Sequence, residues 1–441
     1  MNSSSLIGHV LELLEKIDHT NQPADRTTSE FFHSKSYLGS HDRKYIGETV
    51  FGVIRHRRYA EALLEEFVDR NPQYRILDSP RVRYLAVLAA FSVIARRITD
   101  SSIPEITISE VMWKSRFPDV DIHYYERWLE EHFSLEFLPS DQPAVRLGVR
   151  YSFQDWMVEE WRNSFGDEVE SLLAAFNTPA PTTLRVNLLK ATRSDCSARL
   201  AEEGIQTRET RISPAGLIGS RRFAAQASAA FKEGWFEVQD EGSQIVSLVA
   251  APMPGTVVID ACAGAGGKAL HLADLMNNTG ELIAVDVEPK RITELERRSK
   301  RAGVTIIRSL LRKEITSGRF DNSADLVVID APCSGSGTIR RNPGYKWTLS
   351  ESLLQHYVSK QTEILEFNAP FVRQGGQLVY ATCSLFECEN QGVIEKFVAH
   401  HPEFSIEKER TFIQAEAGFL ILTPHQHHTD GFTIVKLKKI C

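Results

Sequence analysis

The sequence predicts a multidomain chain, with an all-α N-terminal domain ahead of an α/β doubly wound, Rossmann-like domain. Three observations carry that prediction. Up to about Leu138, apolar residues recur at helical spacing and no strong strand signal interrupts them. From Pro254 onward, short β-branched runs alternate with helical patterns. A glycine-rich turn follows the first of those runs.

The opening stretch, "MNSSSLIGHVLELLEKIDH", mixes charges among its apolar positions and reads as an amphipathic helix rather than a secretory signal. In "SHDRKYIGETVFGVIRHRRYAEALLEEF", Ser40 is the expected N-cap, and Ile46, Val50, Val53 and Ile54 fall on one face. "SPRVRYLAVLAAFSVIARRI" is apolar enough to be the central helix of a bundle, and "IHYYERWLEEHF" is a third amphipathic helix. "LPSDQP" reads as a linker. Two more helices, a turn with the strand "TLRV" and a mixed region to about Val249 follow. Then come "TVVIDA", "ELIAVDV", "VTIIRS", "DLVVIDA" and "QLVYAT", continuous apolar runs that predict parallel strands covered on both faces. "GFLILT" and "GFTIVKLK" predict an antiparallel hairpin closing the sheet. The expected domains are 1–140, 141–250 and 251–441.

Composition narrows the function. Of 441 residues, 42% are hydrophobic and 25% charged, the balance of an ordinary globular protein, and no apolar run is long enough to span a bilayer. Six cysteines are too sparse for a disulfide framework, and their spacings fit no zinc site. Reduced thiols in a cytoplasmic, monomeric protein with no bound metal are the expectation. A net charge of -7 counts against non-specific coating of nucleic acid, yet it leaves room for a local basic groove.

"VVIDACAGAGGKALHLADLM" is strand, tight turn, helix. A phosphate-binding P-loop needs glycine at position 262 and Ser or Thr at 269, where Cys and Ala stand. A dinucleotide site or an S-adenosylmethionine site remains, because both use backbone close approach at the turn and an acid after the second strand, here Asp286. A bare strand-to-helix turn is the bland alternative. Further along, Cys333 and Cys383 each fall just past the carboxyl end of a strand, where ligands of an open α/β sheet sit. Asp330 ends the strand that leads to Cys333. Carbon 5 of cytosine is too weakly nucleophilic to attack a sulfonium methyl group unaided. A thiolate added at carbon 6 makes the ring enamine-like, a carboxylic acid at ring nitrogen 3 assists, and a further group allows release. Cys383, Asp330 and Cys333 can supply that set. Cys196, Cys262, Cys388 and Cys441 lack such neighbours and read as packing thiols.

"DACAGAGGKA", "DAPCSGSGTIRRNPGYKW" and "GGQLVYATCSLFECEN" resemble the motifs of the Sun/Fmu family of RNA cytosine-C5 methyltransferases. "TLRVN", "FEVQDEGSQ" and "DGFTIVKL" follow that family's order. The N-terminal region resembles the NusB-like RNA-binding domain of the bacterial group acting on small-subunit ribosomal RNA. The resemblance implies Cys383 as nucleophile, Cys333 as the residue assisting release, and Asp330 as a contact to the target base. It implies that Cys262, Ala263, Gly264, Ala265, Gly266, Gly267, Lys268, Asp286, Ser309 and Asp330 hold S-adenosylmethionine. It implies RNA contacts at Arg185, Arg340, Arg341 and Lys346. Ala265, Ala269 and Thr433 depart from the family's usual Pro, Thr and Phe, and Ser309 stands where an Asp is usual after the third strand. Arg55, Arg57 and Arg58 form a second basic group read as RNA-facing, with a solvated helix face as the alternative. A base that reacts with a thiolate must leave its stack, which favours a flipped or single-stranded cytosine. Transfer RNA is the competing substrate. A non-catalytic RNA-binding protein and an NAD-dependent oxidoreductase are the competing classes.

Overall fold

The computed structural model describes residues 2–20, 22–80, 82–98, 103–316, 318–407 and 418–440. Cys441, read as a packing thiol, lies outside them. The chain folds as two compact units, Met1–Pro179 with Ile339–Leu349, and Ala180–Thr338 with Ser350–Cys441.

The first unit is helical. Its longest helix, Ser40–Arg70, has the expected apolar face, with Ile46, Val50, Val53 and Ile54 buried. The cap is Gly39, not Ser40: the Gly39 N–H donates to the Asp42 carboxylate at 3.3 Å. The helix Arg83–Arg97 is the central one, buried from Leu85 to Ile94. Gly52 lets the two approach closely, since a Cβ there would meet the Phe91 ring at 2.6 Å. The long helix kinks at His56 (φ −117°, ψ 19°). Around this kink the carbonyls of Ile54 and Arg55 accept bonds from Trp347 Nε1 (3.0 Å) and Lys346 Nζ (2.9 Å), and the Tyr59 N–H donates to Ser152 Oγ (3.1 Å). Side chains inserted into a helical ladder are a sufficient cause of such a bend. The helices Pro143–Tyr151, Asp155–Phe165 and Val169–Phe176, expected beyond the linker, belong to this unit.

The second unit carries two sheets. The smaller is antiparallel, with strands β1 (Thr183–Val186), β2 (Thr207–Glu209), β3 (Gly216–Gly219) and β4 (Phe236–Val238) in the order β2-β3-β1-β4. The larger contains β5 (Val257–Asp260), β6 (Glu281–Asp286), β7 (Ile307–Leu311), β8 (Ala324–Asp330), β9 (Val372–Thr382), β10 (Phe404–Ile406), β11 (Phe419–Leu422) and β12 (Phe432–Lys439). Its order is β10-β12-β9-β8-β5-β6-β7, with β11 also paired to β12. From β9 to β7 the neighbours are parallel; β12 is antiparallel to β9 and β11, closing the sheet as the terminal hairpin predicts.

Alternate strand residues enter opposite cores. Val258, Leu282, Ala284 and Val328 pack on one face, and Ile259, Ile283, Val285 and Val327 on the other. Burial of both faces explains why these runs are continuous rather than alternating. The order places the ends of β5, β6, β8 and β9 side by side, where a ligand crevice of an open α/β sheet lies.

Candidate active site

The glycine turn is built by two left-handed residues, Gly264 (φ +54°) and Gly266 (φ +88°). A Cβ at Gly266 would press on Leu295 at 2.9 Å, whereas Gly264 faces open space. The Asp286 carboxylate, ending β6, accepts the Gly264 N–H at 2.9 Å and the Glu288 N–H at 2.8 Å. One acid thus ties the turn to the neighbouring strand while its remaining lone pairs stay available to vicinal hydroxyls. Lys268, in the helix Gly267–Leu275 that leaves the turn, donates to Asp330 at 2.6 Å. Asp260, ending β5, is wholly buried. Burial, and then the charge of Asp330, push its pKa up to about 7. The Cys262 thiol is also pushed up, by burial first and then by Asp260, which makes it inert.

The two sequence-predicted cysteines meet. Cys333 Sγ and Cys383 Sγ lie 3.2 Å apart, both half-buried and both free. Contact with Cys383, followed by burial, pushes the Cys333 thiol well above its ordinary pKa. Gly337 N–H donates to the Cys383 carbonyl at 2.9 Å, so the loops after β8 and β9 are bonded directly. Thr433, expected only to alter packing, donates to the Ser384 carbonyl at 3.1 Å.

Sequence reading missed Glu389. It is fully buried and accepts from the Ser334 N–H (2.8 Å), from Gln361 Nε2 (3.1 Å) and from the hydroxyls of Ser334 and Ser384. The available signal was "ECEN", which places two acids, Glu387 and Glu389, within six residues of Cys383.

Several expected contacts are corrected. Ser309 does not follow the third strand; it lies inside β7, and its hydroxyl donates to Glu296 at 2.6 Å. Arg185, expected at RNA, is buried, and its guanidinium is spent on Gln239 and on the Gly267 carbonyl (2.6 Å), where it braces the glycine turn. Lys346 has no exposed surface: its ammonium donates to the carbonyls of Arg55 and Tyr151 and to Asn177 Oδ1. Arg340 and Arg55 are likewise buried, with Arg340 donating to the Pro179 carbonyl and Arg55 to the Arg340 carbonyl. Arg57 is paired with Asp18 and Glu61, and Arg58 with Asp155. Arg341 is half-buried. The segment "IRRNPGYK" therefore belongs mainly to the packing of the helical unit. Lys346→Met should destabilise the protein by about 3 kcal/mol, because three acceptors lose their donor. It should leave the salt slope of RNA binding unchanged, whereas a phosphate contact would lower that slope by about one. Chemical denaturation and a salt titration check the two.

Among the described residues, no helix is long and apolar enough to cross a membrane, and no group of three or more His, Cys, Asp or Glu is placed to hold a metal.

A sheet of this order, with a glycine turn after β5 and an acid ending β6, defines the class of S-adenosylmethionine-dependent methyltransferases. The donor set fits that cofactor: turn backbone, the Asp286 carboxylate for ribose hydroxyls, and open space at Gly264. The family described as 16S rRNA methyltransferase RsmB/F matches residues 247–438, and its ferredoxin-like domain matches residues 153–224. The "Probable ribosomal RNA small subunit methyltransferase B" of Synechocystis is 32% identical, over 92% of this chain and 93% of its own. The Bacillus subtilis protein of the same name is 29% identical over 100% of both. The crystal structure of PH0851 is similar with a TM-score of 0.75 and 27% identity, covering 98% of each chain. The chain belongs to the RsmB/F family of 16S rRNA methyltransferases, and its cofactor is S-adenosyl-L-methionine.

Proposed function

We propose that the protein methylates carbon 5 of a cytosine in small-subunit ribosomal RNA through a covalent adduct of Cys383. The observation that carries this reading is the 3.2 Å approach of the two cysteine sulfurs at adjacent strand ends. A single packing thiol needs no such partner, and a redox pair is usually close in sequence.

In this reading the Cys383 thiolate adds to carbon 6 and raises the electron density at carbon 5. Bound S-adenosylmethionine supplies the sulfonium methyl group for that carbon. Turn residues Cys262 to Lys268, with Asp286, hold it through backbone and carboxylate. The Asp330 carboxylate, bonded to the Lys268 ammonium at 2.6 Å, is placed to accept a bond from the exocyclic amino group of cytosine. Loss of the carbon 5 proton then restores the ring double bond as the Cys383 sulfur leaves, and Cys333 assists that release. Arg341 and the helical unit, which we take as NusB-like, guide the RNA.

Incubation with ribosomal RNA and methyl-labelled S-adenosylmethionine, followed by nucleoside analysis, tests the reading. Label is expected in 5-methylcytidine of small-subunit RNA. Label confined to transfer RNA would reassign the substrate, and absence of label from every cytosine would overturn the activity.

A further inference from the structure

Both cysteines are followed by a serine, and both serines bond one carboxylate. Ser334 and Ser384 hydroxyls donate to the same oxygen of Glu389, and the Ser334 N–H donates to the other. The two hydroxyls also lie 3.2 Å from each other. Gln361 Nε2 bridges this carboxylate to the Pro332 carbonyl, in the loop that carries Cys333. Below, the Tyr380 hydroxyl donates to the Glu389 carbonyl at 2.7 Å. Asn390 Oδ1 accepts from Thr382 Oγ1, and Asn390 Nδ2 donates to the carbonyls of Ser384 and Phe386. Every group in this cluster is buried apart from the backbone it grips, and none is a packing surface that apolar residues could replace without stranding donors.

We propose that Glu389 is a positioning residue for the methyl-transfer chemistry, one buried carboxylate that sets the separation and orientation of the Cys333 and Cys383 sulfurs. The inference rests on the covalent reading of the two cysteines. Parallel pairing of β8 with β9 and the Gly337–Cys383 backbone bond bring the two loops side by side but do not set the distance between their sulfurs. A shared acceptor, bonded to the residue beside each sulfur, supplies that constraint. The negative charge of Glu389 also helps keep the Cys333 thiol protonated, after its contact with Cys383 and its burial.

The test uses the full chain in two assays. Diamide takes two electrons and two protons from a pair of thiols, forming one disulfide and the corresponding hydrazine. The rate at which it joins Cys333 to Cys383, mapped by peptide mass, therefore reads sulfur proximity without RNA or cofactor. In Glu389→Gln this rate should fall about tenfold and kcat about 100-fold, with KM for RNA and for S-adenosylmethionine changing less than about threefold. If Glu389→Gln fails to fold, the double variant Ser334→Ala/Ser384→Ala, which keeps the carboxylate and removes two donors, should shift both assays in the same direction. An unchanged disulfide rate in a folded variant, whatever its melting temperature, overturns the proposal. Failure of the wild-type protein to methylate cytosine would overturn the activity instead, with the disulfide assay still deciding the placement of the sulfurs.

Discussion

Cys383→Ala should lower methyl transfer by at least about 10⁴-fold while leaving RNA affinity within about twofold, because in the proposed mechanism it removes the nucleophile and no binding group. Cys333→Ala should also stall turnover, but with a different signature: a covalent protein–RNA adduct that survives denaturation. The asymmetry follows from the order of events. In the proposed mechanism no carbon–sulfur bond forms without Cys383, and without Cys333 the bond forms and is not efficiently broken. The 3.2 Å separation makes both sulfurs physically able to reach one base. The raised pKa of Cys333 fits a group that stays protonated while its neighbour attacks. Denaturing gel electrophoresis of each variant after incubation with substrate RNA and cofactor distinguishes the roles. Trapping by Cys383→Ala and none by Cys333→Ala would reverse them.

Legibility in the sequence followed the range of the interaction. The strands from "TVVIDA" to "QLVYAT" could be read because burial on both faces writes itself into consecutive residues. The meeting of Cys333 and Cys383 could be read because parallel strands put their carboxyl ends on one edge. Charge was less informative. Lys346 and Arg185 look like RNA contacts in a string of letters, and what buries them is a set of acceptors drawn from distant segments: Tyr151 and Asn177 for one, Gln239 and Gly267 for the other. Glu389 was hidden for the same reason, since its donors come from loops far apart in the chain. Ser309 was misplaced because β7 runs on to Leu311, two residues beyond the assumed end. No local pattern marks that extension.

Asp260 should make the protein's stability fall as the pH rises from about 4 to about 7, and Asp260→Asn should remove that contribution. An unfolded aspartate titrates near 3.8, and the folded Asp260 near 7. Between those values the folded state holds a proton that the unfolded state has lost, so folding is favoured by acid in this window and the advantage is gone above it. A shift of this size corresponds to about 4 kcal/mol at most, on the scale of 1.36 kcal/mol per pKa unit. Burial sets the direction. The groups facing Asp260 refine it: Asp330 and Asp286 oppose its ionisation, while Lys268 and the Cys262 N–H favour it. Other carboxylates add their own slopes, so the wild-type curve alone is not diagnostic, whereas its difference from Asp260→Asn isolates this residue. Urea unfolding of both proteins without cofactor, from pH 4.5 to 8.5, should give curves that converge at the acid end and diverge toward pH 8, where the amide variant is the more stable. Parallel curves would mean that Asp260 is ionised in the folded state throughout.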